Sequence, residues 1–352
     1  MKTILFILPD LNMGGAERII TLLINNLDKN KFIPKLLLMR KEGYYLEFLD
    51  KEVEIIDVKT ERIRKSIFPI LSVLRRLKPD IVFGGWGEVS AYLAPLIPFF
   101  PKIFFIARET NIVSKHITRP EIKFFYKFYN NYHKIIAQSD DMKDDLIKNI
   151  NIKENKIIKI NNPIDVSLIQ SLSMKEINLP FSNQFKNVLA IGNLSKRKGF
   201  DNLLQVFSYL KNENINLYIL GDGRDKEKLL KLKSQLGLNK VFFLGKVTNP
   251  FPYLKKADLF ILSSRYEGFP NVLLEAGICG TYSLANNCKG GINEIIESGI
   301  NGDILNIEDY KNFATKIKKE LVKQKDIEKI KNSIKSRFSK EMIIHRYEEI
   351  FS

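Results

Sequence analysis

The most informative segment of the chain is Glu267-Gly-Phe-Pro-Asn-Val-Leu-Leu-Glu275, together with the apolar segment 257–262 that precedes it. The apolar segment predicts a buried strand, and the polar residues after it predict a loop. Pro270 suits the first turn of a helix, because a missing N–H has no partner to lose there. The stretch therefore predicts strand, loop and helix, with Glu267 on the loop and Glu275 about a turn and a half inside the helix.

The start of this predicted helix is a candidate phosphate site. The main-chain amides of Phe269, Asn271 and Val272 lie where helices leave N–H groups without intrahelical partners, and such groups bind anions. A carboxylate on each side of the helix start, Glu267 and Glu275, could hold the sugar and the ribose of a nucleotide-sugar. The same spacing also fits an ordinary surface turn with two solvated glutamates, and the spacing alone leaves both interpretations open.

Length and composition indicate a globular protein of two domains. The chain has 352 residues, which is more than one hydrophobic core usually includes. Of these residues, 45% are apolar and 27% are charged, as in soluble globular proteins. The longest apolar stretch, 91–107, is interrupted by prolines and Lys102, so no membrane span is predicted. Residues Met1–Leu8 fit a buried first strand better than a signal sequence, because no small-residue cleavage site follows.

The cysteines and histidines predict neither disulfides nor a metal site. Cys279 and Cys288 have no disulfide or metal-binding spacing, and the three histidines are scattered along the chain. We therefore expect reduced thiols, a cytoplasmic protein and no metal.

The net charge of +16 is compatible with nucleic acid, an anionic membrane or a coding bias. Residues 59–78 carry seven basic side chains against one acidic one, around an apolar segment. Residues 115–134 carry five basic side chains, one acid and six aromatics. This composition is typical of an interfacial helix on anionic lipid, although the aromatics could instead pack on their own domain. No nucleic-acid-binding motif is present, so nucleic acid is not an expected partner.

Strands and helices alternate along the chain, which predicts parallel α/β sheets. A break at 161–165 and a polar stretch at 166–186, which reads as a linker, separate two such sets. The pattern predicts two Rossmann-like halves with a cleft at the carboxyl ends of the strands, where ligands bind in this class.

Two glycine-containing loops fit such a site. Gly14-Gly15 follows the first strand but lacks the Gly-x-Gly-x-x-Gly spacing, which disfavours a dehydrogenase. The second loop, 192–199, follows a strand and carries Lys196, Arg197 and Lys198, which could meet a diphosphate. Each loop read alone also fits a plain turn.

Taken together, these motifs resemble family 4 retaining glycosyltransferases with the GT-B fold, of the bacterial surface-polysaccharide or lipid-linked saccharide type. The matching pieces follow the family's order along nearly the whole chain: Gly14-Gly15-Ala-Glu-Arg18, Asn162-Pro-Ile-Asp165, Gly192-x-Leu-x-x-x-Lys198-Gly199, Leu220-Gly-Asp-Gly223, Glu267-Gly-Phe…Glu275-Ala and Gly290-Gly-Ile-Asn-Glu-Ile295. The resemblance implies an acceptor-binding domain at 1–165, a donor-binding domain at 166–335 and a final helix at 336–352 that crosses back.

The resemblance also implies roles for individual residues. Glu275 would hold the ribose hydroxyls, while Glu267 would contact the donor sugar and act with Lys198 as a catalytic residue. The diphosphate would be bound by Lys198, by Arg197 and by the amides of Phe269, Asn271 and Val272, with Gly15 closing from the other domain.

Two departures from the family pattern affect the site. Asn193 stands where the family often has an arginine, so neutralising the diphosphate falls to Lys198 with help from Arg197. Where many members carry a histidine, this chain reads Ala-Arg-Glu-Thr-Asn at 107–111. Arg108, Glu109 and Asn111 are therefore the candidates for contacts with the acceptor or the donor sugar.

The activity implied by the resemblance is transfer of a hexose or N-acetylhexosamine from a UDP-sugar to a lipid-linked saccharide, with retention of configuration. No metal or cofactor is expected, and the enzyme would sit on the inner face of the cell membrane. The alternatives are a nucleotide-sugar epimerase of the same architecture and a non-catalytic basic adaptor for membrane or nucleic acid.

Overall fold

The chain forms two compact units in a computed structural model that describes residues 1–352. Unit 1 comprises Met1–Pro163 and Lys340–Ser352, and unit 2 comprises Ile164–Ser339. Each unit contains one parallel sheet covered by helices, so the predicted α/β class with two Rossmann-like domains is confirmed. None of the helices combines the length and the apolar character needed to span a bilayer.

Unit 1 is built on a sheet of seven parallel strands. They are β1 Lys2–Leu8, β2 Phe32–Leu38, β3 Glu54–Asp57, β4 Ile81–Gly84, β5 Phe104–Arg108, β6 Lys134–Ala137 and β7 Ile157–Lys159. Their order is β3-β2-β1-β4-β5-β6-β7, so the strand order reverses between β1 and β4. Ligands of open α/β sheets bind at such a reversal, beyond the carboxyl ends of the strands.

Helices cover both faces of this sheet. They are α1 Gly15–Asn26, α2 Ile63–Leu77, α3 Gly87–Leu93, α4 Val113–His116, α5 Pro120–Tyr126 and α6 Asp140–Lys148. Alternate side chains of β1 point to opposite faces, so Phe6 packs with α1 and Ile7 packs with α2 and α3. Ser139 caps α6, because its side chain accepts a hydrogen bond from the Met142 amide.

Unit 2 contains six parallel strands. They are β8 Lys186–Ile191, β9 Ile215–Leu220, β10 Val241–Gly245, β11 Leu259–Leu262, β12 Ser283–Asn286 and β13 Gly302–Leu305. The order β10-β9-β8-β11-β12-β13 reverses between β8 and β11. The loops that follow these two strands are the ones in which the sequence predicts the donor site.

The helices of unit 2 include one that lies where the sequence predicts a linker. They are α7 Val166–Ser173, α8 Phe200–Ser208, α9 Lys226–Gln235, α10 Phe251–Lys256, α11 Asn271–Ile278, α12 Ile292–Ile295, α13 Tyr310–Leu321 and α14 Ile327–Phe338. The expectation of an irregular linker at 166–186 is wrong for α7. Asp165 caps this helix by accepting from the Leu168 amide at 3.0 Å, and Ile169 is buried in the unit 2 core.

The last helix, α15 Lys340–Phe351, belongs to unit 1. Its Tyr347 and Phe351 are fully buried, and the Phe351 ring lies 5.8 Å from that of Phe83. The boundary expected between residues 335 and 336 falls inside α14, because that helix continues until Phe338 is buried in the unit 2 core.

Candidate active site

Glu267 lies on the loop between β11 and α11 and is buried, with 5% of its surface exposed. Ser264, on the same loop, donates its hydroxyl to Oε1 of Glu267 at 2.6 Å. The Glu267 amide donates to the carbonyl of Lys289, and Asn286 donates to the carbonyl of Ser264. The loop is therefore held on both sides, and the carboxylate has a defined position.

The loop after β8 brings two cations to this carboxylate. Lys198 Nζ lies 2.5 Å from Oε1 of Glu267, and Arg197 Nη1 lies 2.5 Å from Oε2. Both cations come from a short 3-10 helix, Lys196–Lys198. The sequence predicts Glu267, Lys198 and Arg197 separately, and the structure brings all three together.

Gly199 allows the two loops to approach each other. It has a φ of +63°, and a Cβ atom at this position would lie 2.1 Å from the carbonyl oxygen of Ser263. The hydroxyl of Ser263 donates to the carbonyl of Lys198 at 2.8 Å, and the Arg265 amide donates to the carbonyl of Arg197 at 2.8 Å. Only glycine fits this approach, which fixes the cations relative to the Glu267 loop.

The charges around Glu267 keep it ionised. Burial alone would raise its pKa, but the paired Lys198 and Arg197 outweigh burial and lower the pKa to about 2. The carboxyl is thus an anion at neutral pH and can accept hydrogen bonds. Two cations on one anion leave a net positive charge, which suits an incoming diphosphate.

The start of α11 lies directly beyond this loop. Asn271 and Val272 are its first two residues, and Phe269 is buried two residues before it. Pro270 immediately precedes the helix, rather than forming part of its first turn as predicted. Glu275 is buried on the next turn with 6% of its surface exposed. The predicted strand, loop and helix are therefore present, and both glutamates are buried rather than solvated.

Three glycines of the sequence motifs lie where a side chain would collide with a neighbouring segment. A Cβ atom on Gly291 would lie 2.2 Å from the Phe269 ring, and one on Gly290 would lie 2.6 Å from the Glu267 carbonyl. A Cβ atom on Gly221 would lie 1.9 Å from the carbonyl oxygen of Gly192. These glycines let neighbouring segments approach the loops that carry the site.

Asn193, where the family often has an arginine, is exposed and lies beside the turn at Gly223. Its side chain is uncharged, so the cations at this end of unit 2 that meet Glu267 are Lys198 and Arg197.

In unit 1, Gly14 and Gly15 stand where β1 leads into α1. The side chain of Glu17 folds back over Gly14, where an added Cβ would lie 2.1 Å from Oε2 of Glu17. Burial, with nearby Asp10 adding to it, raises the pKa of Glu17 to about 7. Sequence reasoning did not select Glu17, although it belongs to the Gly14–Arg18 motif.

The three remaining predicted site residues, Arg108, Glu109 and Asn111, lie at the end of β5 and directly after it. Arg108 is buried and donates to Oδ1 of Asn162 at 2.7 Å. Glu109 is buried and accepts hydrogen bonds from the hydroxyls of Tyr126 and Tyr129. Asn111 is partly exposed. Of the three side chains, Arg108 and Glu109 are thus engaged inside unit 1.

Comparisons with known proteins agree with these motifs. Residues 13–168 match the family described as Glycosyltransferase Family 4, and residues 175–337 match Glycosyl transferases group 1. An uncharacterized glycosyltransferase of Methanocaldococcus jannaschii is 30% identical over 67% of this chain and 62% of its own length.

A second relative is similar over nearly its full length. The N-acetylgalactosamine-N,N'-diacetylbacillosaminyl-diphospho-undecaprenol 4-alpha-N-acetylgalactosaminyltransferase of Campylobacter jejuni is 27% identical over 93% of this chain and 92% of its own. Among solved structures, Anabaena HepE in complex with UDP and glucose superposes with a TM-score of 0.83 at 18% identity, covering 100% of this chain and 99% of its own. This chain therefore belongs to the GT-B glycosyltransferases, with a family 4 domain followed by a group 1 domain.

Proposed function

We propose that the protein transfers a hexose or N-acetylhexosamine from a UDP-sugar to a lipid-linked saccharide in bacterial surface glycan biosynthesis. The observation that carries this proposal is the buried Glu267 carboxylate held by Lys198 and Arg197 beside the start of α11. Cations, helix-start amides and ionised carboxylates are the groups that a nucleotide diphosphate-sugar requires.

Each group has a defined task in this proposal. Lys198 and Arg197 neutralise the diphosphate, and the amides of Phe269, Asn271 and Val272 donate hydrogen bonds to it. Glu267, released in part from its cations, accepts hydrogen bonds from hydroxyls of the donor sugar. Glu275 accepts from the ribose hydroxyls, and Gly15 gives the backbone of unit 1 room to approach a ligand closely.

We propose that the transfer retains configuration by a front-face route. The bond from the anomeric carbon to the leaving diphosphate breaks as the acceptor oxygen bonds to that carbon on the same face. The leaving phosphate takes the acceptor proton, so the already ionised Glu267 is not required as a proton donor. Lys198 acts where negative charge develops, and a bound metal ion is not needed for that task.

The identities of donor and acceptor rest on the relatives. HepE has been crystallised with UDP, which supports UDP as the nucleotide here. The Campylobacter relative acts on a saccharide linked to diphospho-undecaprenol, which supports a lipid-linked acceptor. Asn111, whose side chain is partly exposed, would contact a sugar directly, while Arg108 and Glu109 would position its loop.

A surface of unit 1 supports peripheral attachment to the inner face of the cell membrane. α2, the 3-10 helix Ala94–Phe99 and α5 cover the same sheet face, and each exposes a phenylalanine: Phe68 is 80%, Phe99 77% and Phe124 52% exposed. Exposed aromatic rings among basic side chains fit anionic lipid. The tyrosines of segment 115–134, Tyr126, Tyr129 and Tyr132, are instead buried in unit 1.

The deciding experiment is a thermal-shift panel with UDP, GDP and UDP-sugars, because a ligand of the folded state raises the melting temperature. We expect UDP compounds to raise it in the wild type and to fail in Glu275→Ala. No shift with any nucleotide, together with binding to nucleic acid, would contradict the proposal in favour of an adaptor. Conversion of the UDP-sugar without any acceptor would favour an epimerase.

A further inference from the structure

Unit 1 exposes a group of aromatic rings beside the loop that leads to Gly14. We call Tyr44, Tyr45 and Phe48 the aromatic shelf; they lie on the 3-10 helix Tyr44–Phe48 between β2 and β3. The ring of Tyr44 lies 4.9 Å from that of Phe48 and 5.2 Å from that of Tyr45. Tyr44 is 37% and Phe48 46% exposed, so two of the three rings remain open to a ligand.

The shelf is held rigidly against the loop after β1. Gly43 has a φ of +122°, and an added Cβ would lie 2.1 Å from the backbone of Leu11. The Leu11 amide donates to the carbonyl of Glu42, and the Tyr45 amide donates to the carbonyl of Leu11, each at 2.9 Å. Leu11 belongs to the loop that ends in Gly14-Gly15. The shelf therefore lies beside the carboxyl ends of the strands, where ligands of this fold bind.

The far end of the shelf is also anchored. Asn25 of α1 donates to the carbonyl of Phe48 at 2.7 Å and accepts from the Asp50 amide at 2.9 Å. Tyr45 and Leu46 pack on the unit 1 core. A rigid aromatic surface gives large contact area at small entropic cost on binding.

Carboxylates lie beside the shelf together with a basic group. Arg40 pairs with Asp10 at 2.6 Å and with Glu42 at 2.7 Å, and Glu47 lies on the shelf helix itself. This differs from α2, where Arg64 and Lys65 lie one helical turn before exposed Phe68. These carboxylates disfavour an anionic lipid, whereas aromatic rings beside carboxylates and a guanidinium fit an uncharged ligand with many hydroxyl groups.

We infer that the aromatic shelf binds the saccharide portion of the acceptor, with pyranose rings lying on Tyr44 and Phe48. Asp10, Arg40 and Glu42 supply acceptors and donors for its hydroxyl groups. The inference rests on the proposed glycosyltransfer and adds an acceptor subsite in unit 1 to the donor site of unit 2.

The test uses saturation-transfer NMR on the full chain with two uncharged probes, chitotriose and maltotriose. We expect at least one to bind the wild type, and its Kd to rise about tenfold in the Tyr44→Leu/Phe48→Leu variant, which removes both exposed rings but keeps apolar side chains. Tyr209→Leu, at an exposed tyrosine of unit 2, is the matched control and should leave the Kd unchanged.

UDP thermal shifts on the same samples separate this inference from the proposed function. Intact UDP binding with no binding of either probe, or with equal Kd in the shelf variant, overturns the inference alone. If the wild type shows no UDP binding, the proposed function is overturned instead. A dimer that dissociates in the shelf variant would assign the surface to a second copy and also overturn the inference.

Discussion

At Glu267, two opposing effects act on one carboxyl group. Burial disfavours its charge, but Lys198 and Arg197 stabilise it more, and its pKa falls to about 2. A depressed carboxyl pKa stabilises the folded state above the unfolded value of 4.5. That stabilisation is lost as the pH falls towards 2.

Glu267→Gln should therefore destabilise the protein in a pH-dependent way. At pH 7 we expect a loss on the order of 3 kcal/mol, because Lys198 and Arg197 lose their anion. The gap to the wild type should narrow by pH 3.5, where the wild-type carboxylate is already losing its advantage. Urea unfolding at both pH values measures this, and an equal gap at both would contradict the assigned ion pairs.

Lys198→Ala should impair the chemical step more than donor binding. We expect turnover, measured as release of nucleoside diphosphate, to fall roughly 10²- to 10³-fold, because charge develops on the leaving phosphate. Donor affinity, measured by calorimetry, should change far less. Lys196→Ala, an exposed lysine of the same short helix, is the control. Equal losses in turnover and affinity would show that Lys198 only binds.

Glu109→Gln should change how stability depends on pH. Burial raises the pKa of Glu109 to about 7, so the folded state binds its proton more tightly than the unfolded state. Stability is therefore full below the unfolded value of 4.5 and declines as the pH rises through 7. Between pH 4 and pH 8, the melting temperature of the glutamine variant should fall less than that of the wild type. An equal fall in both proteins would argue against a buried, protonated Glu109.

At the scale of elements, the strand–loop–helix unit around 257–278 could be predicted from sequence because its signals are local. The apolar run, the polar turn and Pro270 each act on adjacent residues. The strands β7, β12 and β13 were not predicted, because β7 has only three residues and because β12 and β13 mix polar with apolar residues, unlike the wholly apolar β11. α7 was missed because most of its exposed residues are polar and because it packs on α10 and α11, which lie far along the chain.

Alanine substitutions at two glycines test how closely the loop after β8 approaches the loop that carries Glu267. Gly199 and Gly237 have nearly equal φ values of +63° and +65°, but an added Cβ meets Ser263 only at Gly199. Alanine should cost about 1 kcal/mol from backbone strain at either position. Gly199→Ala should cost more in thermal unfolding and should also reduce turnover, because it displaces Lys198. Equal costs would contradict the close approach of the two loops.

At the scale of the whole molecule, the positive charge and the exposed phenylalanines predict binding to anionic vesicles. Phe68→Ser/Phe99→Ser should lower the partition coefficient on phosphatidylglycerol vesicles about tenfold, because two apolar side chains no longer enter the interface. Val322→Ser, at an exposed valine of unit 2, should have no effect. Sedimentation with vesicles at low and high salt measures this, since salt screens only the charge contribution. An unchanged partition coefficient would show that Phe68 and Phe99 do not contribute to vesicle binding.

Sequence alone was enough to predict the class of fold and the two sheets, and to select candidate residues for the donor site. Those features follow from local periodicity, turn residues and motif order, which act over a few positions. Three-dimensional packing was needed to show that Lys198 and Arg197 share Glu267, that Glu109 is buried beside two tyrosines, and that Tyr44 and Phe48 lie beside the loop after β1. These relations join residues far apart in the chain, and a contact of that kind depends on how strands and loops pack in three dimensions.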